Sequence, residues 1–215
     1  MRWGWLAGFV LVAGAALADA GVWVDEDGLA LPETPARKTS EGFGGWLLVT
    51  ADPEWRAHWD RPPKGRPSLP EARYVGYGQR LTILAFYTNP ATAQDGRIDI
   101  RCSIRVIRPD GTVATEASES RCASAEPQGD LQAARISWAV IDYVGEKQDP
   151  PGQWVVETTL TDAVRDVSLE LETDFILTSG SVMRGQRLAG ARADGYSTGP
   201  RLCSTVRWCR AGRHR

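Results

Sequence analysis

The run RIDIRCSIRVI, Arg97 to Ile107, constrains this chain more than any other stretch. Its residues alternate without a break. Ile98, Ile100, Cys102, Ile104 and Val106 fall on one side, and Arg97, Asp99, Arg101, Ser103 and Arg105 on the other. A period of two belongs to a strand with one buried and one wet face. Pro109-Asp110-Gly111 follows. Proline presets φ and glycine takes the positive-φ position, so the chain turns there and Thr112 to Ala117 returns as the hairpin partner. Other strand-like runs occupy Trp46–Val49, Arg80–Tyr87, Ile136–Val144, Gln153–Thr161 and Val167–Leu177. In the last, Val167, Leu169 and Leu171 point inward against Ser168, Glu170 and Glu172. Asp149-Pro150-Pro151-Gly152 and Asp162 to Asp166 separate the runs as turns. About seven short strands with almost no helical period predict an all-β fold, a single antiparallel sandwich.

The first twenty residues, MRWGWLAGFVLVAGAALADA, read as a signal peptide. Arg2 supplies the charge, Trp5 to Ala18 the apolar stretch, and Ala18-Asp19-Ala20 the small-x-small cleavage pattern. The apolar stretch is too short and too rich in Ala and Gly for a comfortable span. No cysteine follows the cleavage point, which argues against a lipid anchor, and no later segment is apolar enough to cross a membrane. The expectation is a soluble chain, periplasmic or secreted. Four cysteines in such a compartment read first as disulfides, with Cys102 paired to Cys122 and Cys203 to Cys209 the preferred connectivity. Zinc is a weaker alternative, because the spacings do not resemble paired CxxC knuckles.

Charge divides the mature chain. Residues 21–177 carry 25 acidic and 16 basic side chains, whereas residues 178–215 carry eight arginines and one acid. An acidic body argues against nucleic acid as a partner, since phosphate contacts need clustered Lys and Arg. The expected division is a signal peptide at 1–20, an N-terminal arm at 21–42 with a short edge strand near Val22–Val24, the sandwich at 43–177, and a disordered basic tail at 178–215. Three accounts of the tail compete: an arm for anionic lipid or polysaccharide, a looped appendage closed by Cys203–Cys209, and out-of-frame text. The last is preferred.

Four segments carry a family resemblance: GYGQRLTILAFYTNP, IDIRCSIRVIRPDGTV, AVIDYVGEKQDPPGQWVVETTLTD and VSLELETDFIL. Together they resemble the immunoglobulin-like sandwich domains of bacterial envelope proteins, macroglobulin-type domains among them. The matching positions are Gly78, Pro109-Asp110-Gly111, Pro151-Gly152-Gln153-Trp154 and Phe175, and the likeness spans roughly 43–177. It implies an Ig-like sandwich and no catalytic residue. The chain departs from that pattern in a long Trp- and Pro-rich insertion at 51–72, and it contains no Cys-Gly-Glu-Gln sequence, so inhibitor activity is not implied.

The insertion opens with ADPEWRAHWDRPP. Asp52 is placed to cap a helix, Pro53 to start it, and Pro62-Pro63 to stop it, which predicts a short helix over Pro53–Trp59. Trp55 and Trp59 then share a face, with His58 beside Trp55. The favoured reading is a hydrophobic plug over an open edge of the sandwich, with His58 half exposed. The sharper reading is an aromatic platform for a saccharide or peptide, with Trp55, His58, Trp59 and Asp60 as the ligand-binding set. Trp138 and Trp154 read as core.

Chemistry is sparse. His58 is the one histidine before His214, the body cysteines are expected to be bridged, and HExxH, GxSxG and P-loop motifs are absent. Asp25-Glu26-Asp27-Gly28 lacks the ligand pattern of a calcium loop and reads as a solvated turn. Phe43-Gly44-Gly45-Trp46 is not a phosphate cradle. Arg101, Arg105 and Arg108 form either a basic strip or, with Asp99 and Asp110 interleaved, a mixed wet face. Asp142 is the acid of most interest, with a structural strand-end role the favoured account. No catalytic residue, metal or cofactor is assigned. The expected function is a non-enzymatic binding or accessory module of the cell envelope, whose partner is an envelope protein or a peptide or saccharide ligand. The alternatives are a small periplasmic hydrolase using Asp/Glu carboxylates and a structural module of a surface assembly.

Overall fold

The computed structural model describes residues 23–24, 29–60 and 69–179. The signal-like segment, the acidic patch 25–28, and the tail with Cys203 and Cys209 lie outside them. The described chain is an all-β sandwich. Nine strands form two sheets: β1 (Arg37–Ser40), β2 (Phe43–Thr50), β3 (Tyr74–Gly76), β4 (Arg80–Thr88), β5 (Ile100–Ile107), β6 (Val113–Ala123), β7 (Arg135–Val144), β8 (Gly152–Asp162) and β9 (Val167–Thr178). One helix, α1 (Trp55–Asp60), interrupts them. The four-stranded sheet runs β1-β2-β4-β7 and the five-stranded sheet β3-β9-β8-β5-β6. No helix among the described residues is long and apolar enough to cross a membrane.

Alternation places the core. Ile100, Cys102, Ile104 and Val106 of β5 and Val167, Leu169, Leu171, Phe175 and Leu177 of β9 turn inward. They meet Leu47, Val49, Leu81, Ile83 and Ile141 of the opposite sheet in one continuous cluster. Cys102 and Cys122 form a disulfide. The bridge joins β5 to its own neighbour β6, so it secures an edge strand to its sheet and does not tie the two sheets together.

A third layer covers the outside of the four-stranded sheet. Leu48, Leu84 and Phe86 point away from the main core, yet all three are fully buried. Trp23, Trp55 and the partly buried Leu31, Trp59 and Leu69 lie over them. This explains why β2 and β4 lack alternation: strands buried on both faces read as continuous apolar runs. Gly44 makes room for the cover, because a Cβ there would stand 2.6 Å from Thr88 Cγ2 and 2.9 Å from Trp23 Nε1. The glycine-rich FGGW run is thus a steric seat for an indole.

Several expectations are corrected. Part of the stretch read as an arm is β1, whose four polar residues pair antiparallel with β2. Val24 makes an isolated bridge to Ala30 in place of an edge strand at 22–24. The sandwich is not wholly antiparallel, since β3 lies parallel to β9. Trp154 is core, but Trp138 is 48% exposed.

Candidate functional site

Asp52 organises the start of α1. Its Oδ1 accepts the Glu54 backbone N–H at 2.9 Å, and its Oδ2 lies 2.6 Å from His58 Nδ1. The first bond is a local Asx contact of the kind that ends extended chain and begins a helix. Helical hydrogen bonding starts later than the sequence predicts, and α1 covers Trp55–Asp60 where Pro53–Trp59 was expected. The reason is that Pro53 and Glu54 are spent in the turn that Asp52 closes.

The helix separates the four residues of the predicted platform. Trp55 is buried against the sheet, and Arg56 lies over its ring at 4.5 Å from the centroid. Trp59 is partly buried, with its ring centroid 5.1 Å from that of Phe86. Asp60 is exposed. His58 turns the other way, half exposed, into an open groove of about 830 Å³ lined also by Ala51, Asp52, Glu71, Arg73 and Tyr74. The tryptophans cover the face of a sheet, not an open edge of the sandwich, and they do not share a surface with His58. When Nδ1–H donates to Asp52, the His58 Nε2 is left as an acceptor. No Ser, Thr or Cys lines the groove, so among the described residues the pair lacks the nucleophile that a triad requires.

The strand acids are engaged elsewhere. Asp99 binds Arg101 and Arg121, and Glu157 accepts from Arg105 Nε at 2.9 Å. The would-be basic strip is therefore a mixed ladder, with Arg108 turned aside over the Trp154 ring. Asp142 accepts from Thr82 Oγ1 at 2.7 Å across to β4. Sequence reasoning passed over Asp162, which is fully buried. Its Oδ2 accepts the Ala91 N–H at 2.7 Å, and its Oδ1 accepts those of Val164 and Arg165 at 3.1 Å. Arg165 continues the network to the carbonyls of Glu41 and Asn89. The carboxylate ties two loops together at one end of the sandwich, and Arg165 adds the turn at Glu41, a structural role. No group of three or more His, Cys, Asp or Glu is placed to hold a metal among the described residues.

The opposite end differs. There β7 is the last strand of its sheet, and no described strand pairs with its other edge. Its outward row is Ile136, Trp138, Val140, Asp142 and Val144. Ile136 and Val140 pack on the outer cluster, while Trp138 and Val144 are 48% and 39% exposed. Its inward row includes Ile141 and Tyr143, which line a partly open slot of about 130 Å³ between the sheets. Ile83, Val106, Ala114, Trp154 and Phe175 complete the apolar wall, and Arg108 and Asp149 are its charged groups. Tyr143 donates its hydroxyl to Asp149 Oδ2 at 2.7 Å, and the same oxygen accepts the Glu146 N–H at 2.9 Å. Burial first, then the bond to Asp149 and nearby negative charge, push the Tyr143 phenol far above its ordinary range. The slot was not foreseen, because its lining comes from six strands and the loops beside them with no shared motif.

No family model matches this chain, and no curated protein matches it. Solved structures give only distant likenesses. A Pseudomonas fluorescens alkylpurine DNA glycosylase bound to DNA with an abasic-site analogue aligns at 13% identity over 50% of this chain and 28% of its own, with a TM-score of 0.31. A family 123 glycoside hydrolase from Clostridium perfringens aligns at 10% identity over 63% and 27%, with a TM-score of 0.37. A CARDB domain from Pyrococcus furiosus, solved with di-metal ions, aligns at 10% identity over 66% and 100%, with a TM-score of 0.33. The chain spans little more than a quarter of the length of the first two. Likenesses this weak carry no argument about what it does.

Proposed function

We propose that this chain is an exported, non-enzymatic binding module of the cell envelope that takes an extended segment of another envelope protein along β7. The immunoglobulin-like resemblance and a periplasmic or secreted address belong to the same reading, supported by the signal-like N-terminus and the Cys102–Cys122 bridge. The observation that carries it is β7 itself. It is ten residues long, RISWAVIDYV, with no proline or lysine and with Trp138 half exposed at an edge. Proteins ordinarily blunt such edges with charge, proline or a covering segment. β7 carries charge only at Arg135 and Asp142, and no described strand pairs with its outer edge; such an edge is suited to strand addition, where main-chain hydrogen bonds give affinity and alternate side chains give specificity.

The test is site-specific photocrosslinking in cells, with the crosslinker at Trp138 and, as control, at the exposed Glu170 on β9. The expected result is a discrete adduct with one envelope protein at position 138 only, lost when Val140→Lys charges the edge. Identical adducts at both positions, or none at 138, would refute the reading. Asp52 and Glu71, two carboxylates that line one groove, favour a second reading, a small periplasmic hydrolase using Asp/Glu carboxylates. Turnover of a glycoside library that disappears in Glu71→Gln would establish it.

A further inference from the structure

The slot beside β7 has a shape and chemistry that the edge alone does not explain. Two edge strands bound it on one flank: Ala114 and Thr115 come from β6, and Ile141 and Tyr143 from β7. Its volume of about 130 Å³ is close to that of an apolar cavity that admits one benzene, about 150 Å³. That is room for a single large aliphatic or aromatic side chain. Ile141 and Tyr143 belong to the inward row of β7, and a strand laid along β7 would continue that row with its own alternate side chains.

The charged groups narrow the occupant. Arg108 uses Nη1 on the Val113 carbonyl at 2.9 Å and on Thr112 Oγ1. The rest of its fork makes no hydrogen bond among the described residues. Asp149 uses Oδ2 for Tyr143 and Glu146, and its Oδ1 accepts nothing among the described residues. The two do not ion-pair with each other, although both line the slot. The spare donors of Arg108 and the spare acceptor of Asp149 suit the C=O and N–H of a peptide unit. A fatty acid would bring its carboxylate against Asp149, and a bare hydrocarbon would leave both groups unserved.

We infer that the slot is the specificity pocket of the β7 edge and takes one leucine- or phenylalanine-sized side chain from an extended polypeptide segment, with Arg108 and Asp149 holding the peptide unit beside it. This rests on strand addition at β7. It goes further in naming the residue class that is read and the groups that read it.

The experiment uses the mature chain and two fluorescein-labelled nonapeptides, Lys-Thr-Val-Thr-Leu-Thr-Val-Thr-Lys and the same peptide with alanine in place of the central leucine. The leucine peptide is expected to bind about 30-fold more tightly, the value of burying one such side chain. NOEs should run from its leucine methyls to Ile83 and Ile141. Ala114→Phe, which fills the slot from β6, should bring the ratio close to one while the alanine peptide binds as before. Should that variant fail to fold, the NOEs decide alone. Equal binding of both peptides, abolished together by Trp138→Lys, would overturn the pocket and leave the edge standing. Failure of both peptides to bind would overturn the pocket and the edge together.

Discussion

Reduction of Cys102–Cys122 gives a calculable loss. The bridge closes a loop with a sequence separation of 20. In the chain-entropy account, a loop of this size removes about 11 cal/mol/K from the unfolded ensemble, or about 3.3 kcal/mol at 25 °C. The folded side should change little. Both sulfurs are buried, and β5 and β6 are also joined by a ladder of their own. Nearly all of the penalty should therefore fall on the unfolded chain. For a domain of this size the melting temperature should drop by about 7–13 °C. The assay is urea and thermal unfolding followed by circular dichroism, with and without a phosphine reductant. A Cys203→Ser/Cys209→Ser background leaves one bridge, and mass spectrometry confirms that both thiols are free. A loss under about 0.5 kcal/mol would refute the assignment of the stabilisation to loop closure. Loss of the folded spectrum at 25 °C would refute the claim that the β5–β6 ladder holds by itself.

Three further outcomes follow from single side chains. Thr158 sits in the core with a hydroxyl that finds no hydrogen-bond partner among the described residues. Thr158→Val should raise stability by about 1 kcal/mol in urea titration, and a loss would show that the hydroxyl is satisfied. Asp162→Ala should cost about 3 kcal/mol, because it strands buried backbone donors of Ala91, Val164 and Arg165; a change within 0.5 kcal/mol, roughly the surface-substitution range, would refute its anchoring role. Tyr143 has a raised phenol pKa in the fold. Its contribution is complete below the ordinary phenol value of about 10 and is lost as pH rises beyond it, since the unfolded chain then ionises first. Tyr143→Phe should flatten the fall of urea midpoints between about pH 9 and 11, and an unchanged slope would refute the assignment. Tyr87, raised mainly by burial, should retain the remaining dependence.

Legibility in this sequence follows burial geometry. β5 and β9 were readable because one face is wet, which forces strict alternation, and because Pro109-Asp110-Gly111 turns for a stated reason. β1, four polar residues, and β3, three residues paired parallel to the end of β9, carry too little pattern to register. β2 and β4 announce burial on both faces through their apolar runs. They do not say what covers them, since Trp23, Leu31, Trp55 and Trp59 come from aperiodic segments. Trp138 was misread for a related reason. In RISWAVIDYV both rows are apolar enough to face a core, and the larger row, Ile136, Trp138 and Val140, is the outward one. Side-chain size suggests the wrong face, and only packing against the smaller Ser137 and Ala139 row corrects it. The candidate site was illegible for the same reason, because an edge is a property of sheet order and not of the strand that forms it.

The asymmetry of the cover bears on the edge. The outer layer buries Leu48, Leu84 and Phe86 completely, reaches Ile136 and Val140 in part, and leaves Trp138 and Val144 half open. On the inner side, the main core is closed around β8 and β9 but leaves a slot between β6 and β7. Both apolar layers are thus incomplete along one strand. A polypeptide added to β7 would extend both at once, its outward residues against Trp138 and its inward residue in the slot. Charging Trp138 disturbs one layer and filling the slot from Ala114 disturbs the other, and neither change touches the β4–β7 ladder. If one strand uses both surfaces, the two substitutions weaken peptide binding independently and their effects add; if they instead serve different ligands, Ala114→Phe leaves strand binding untouched.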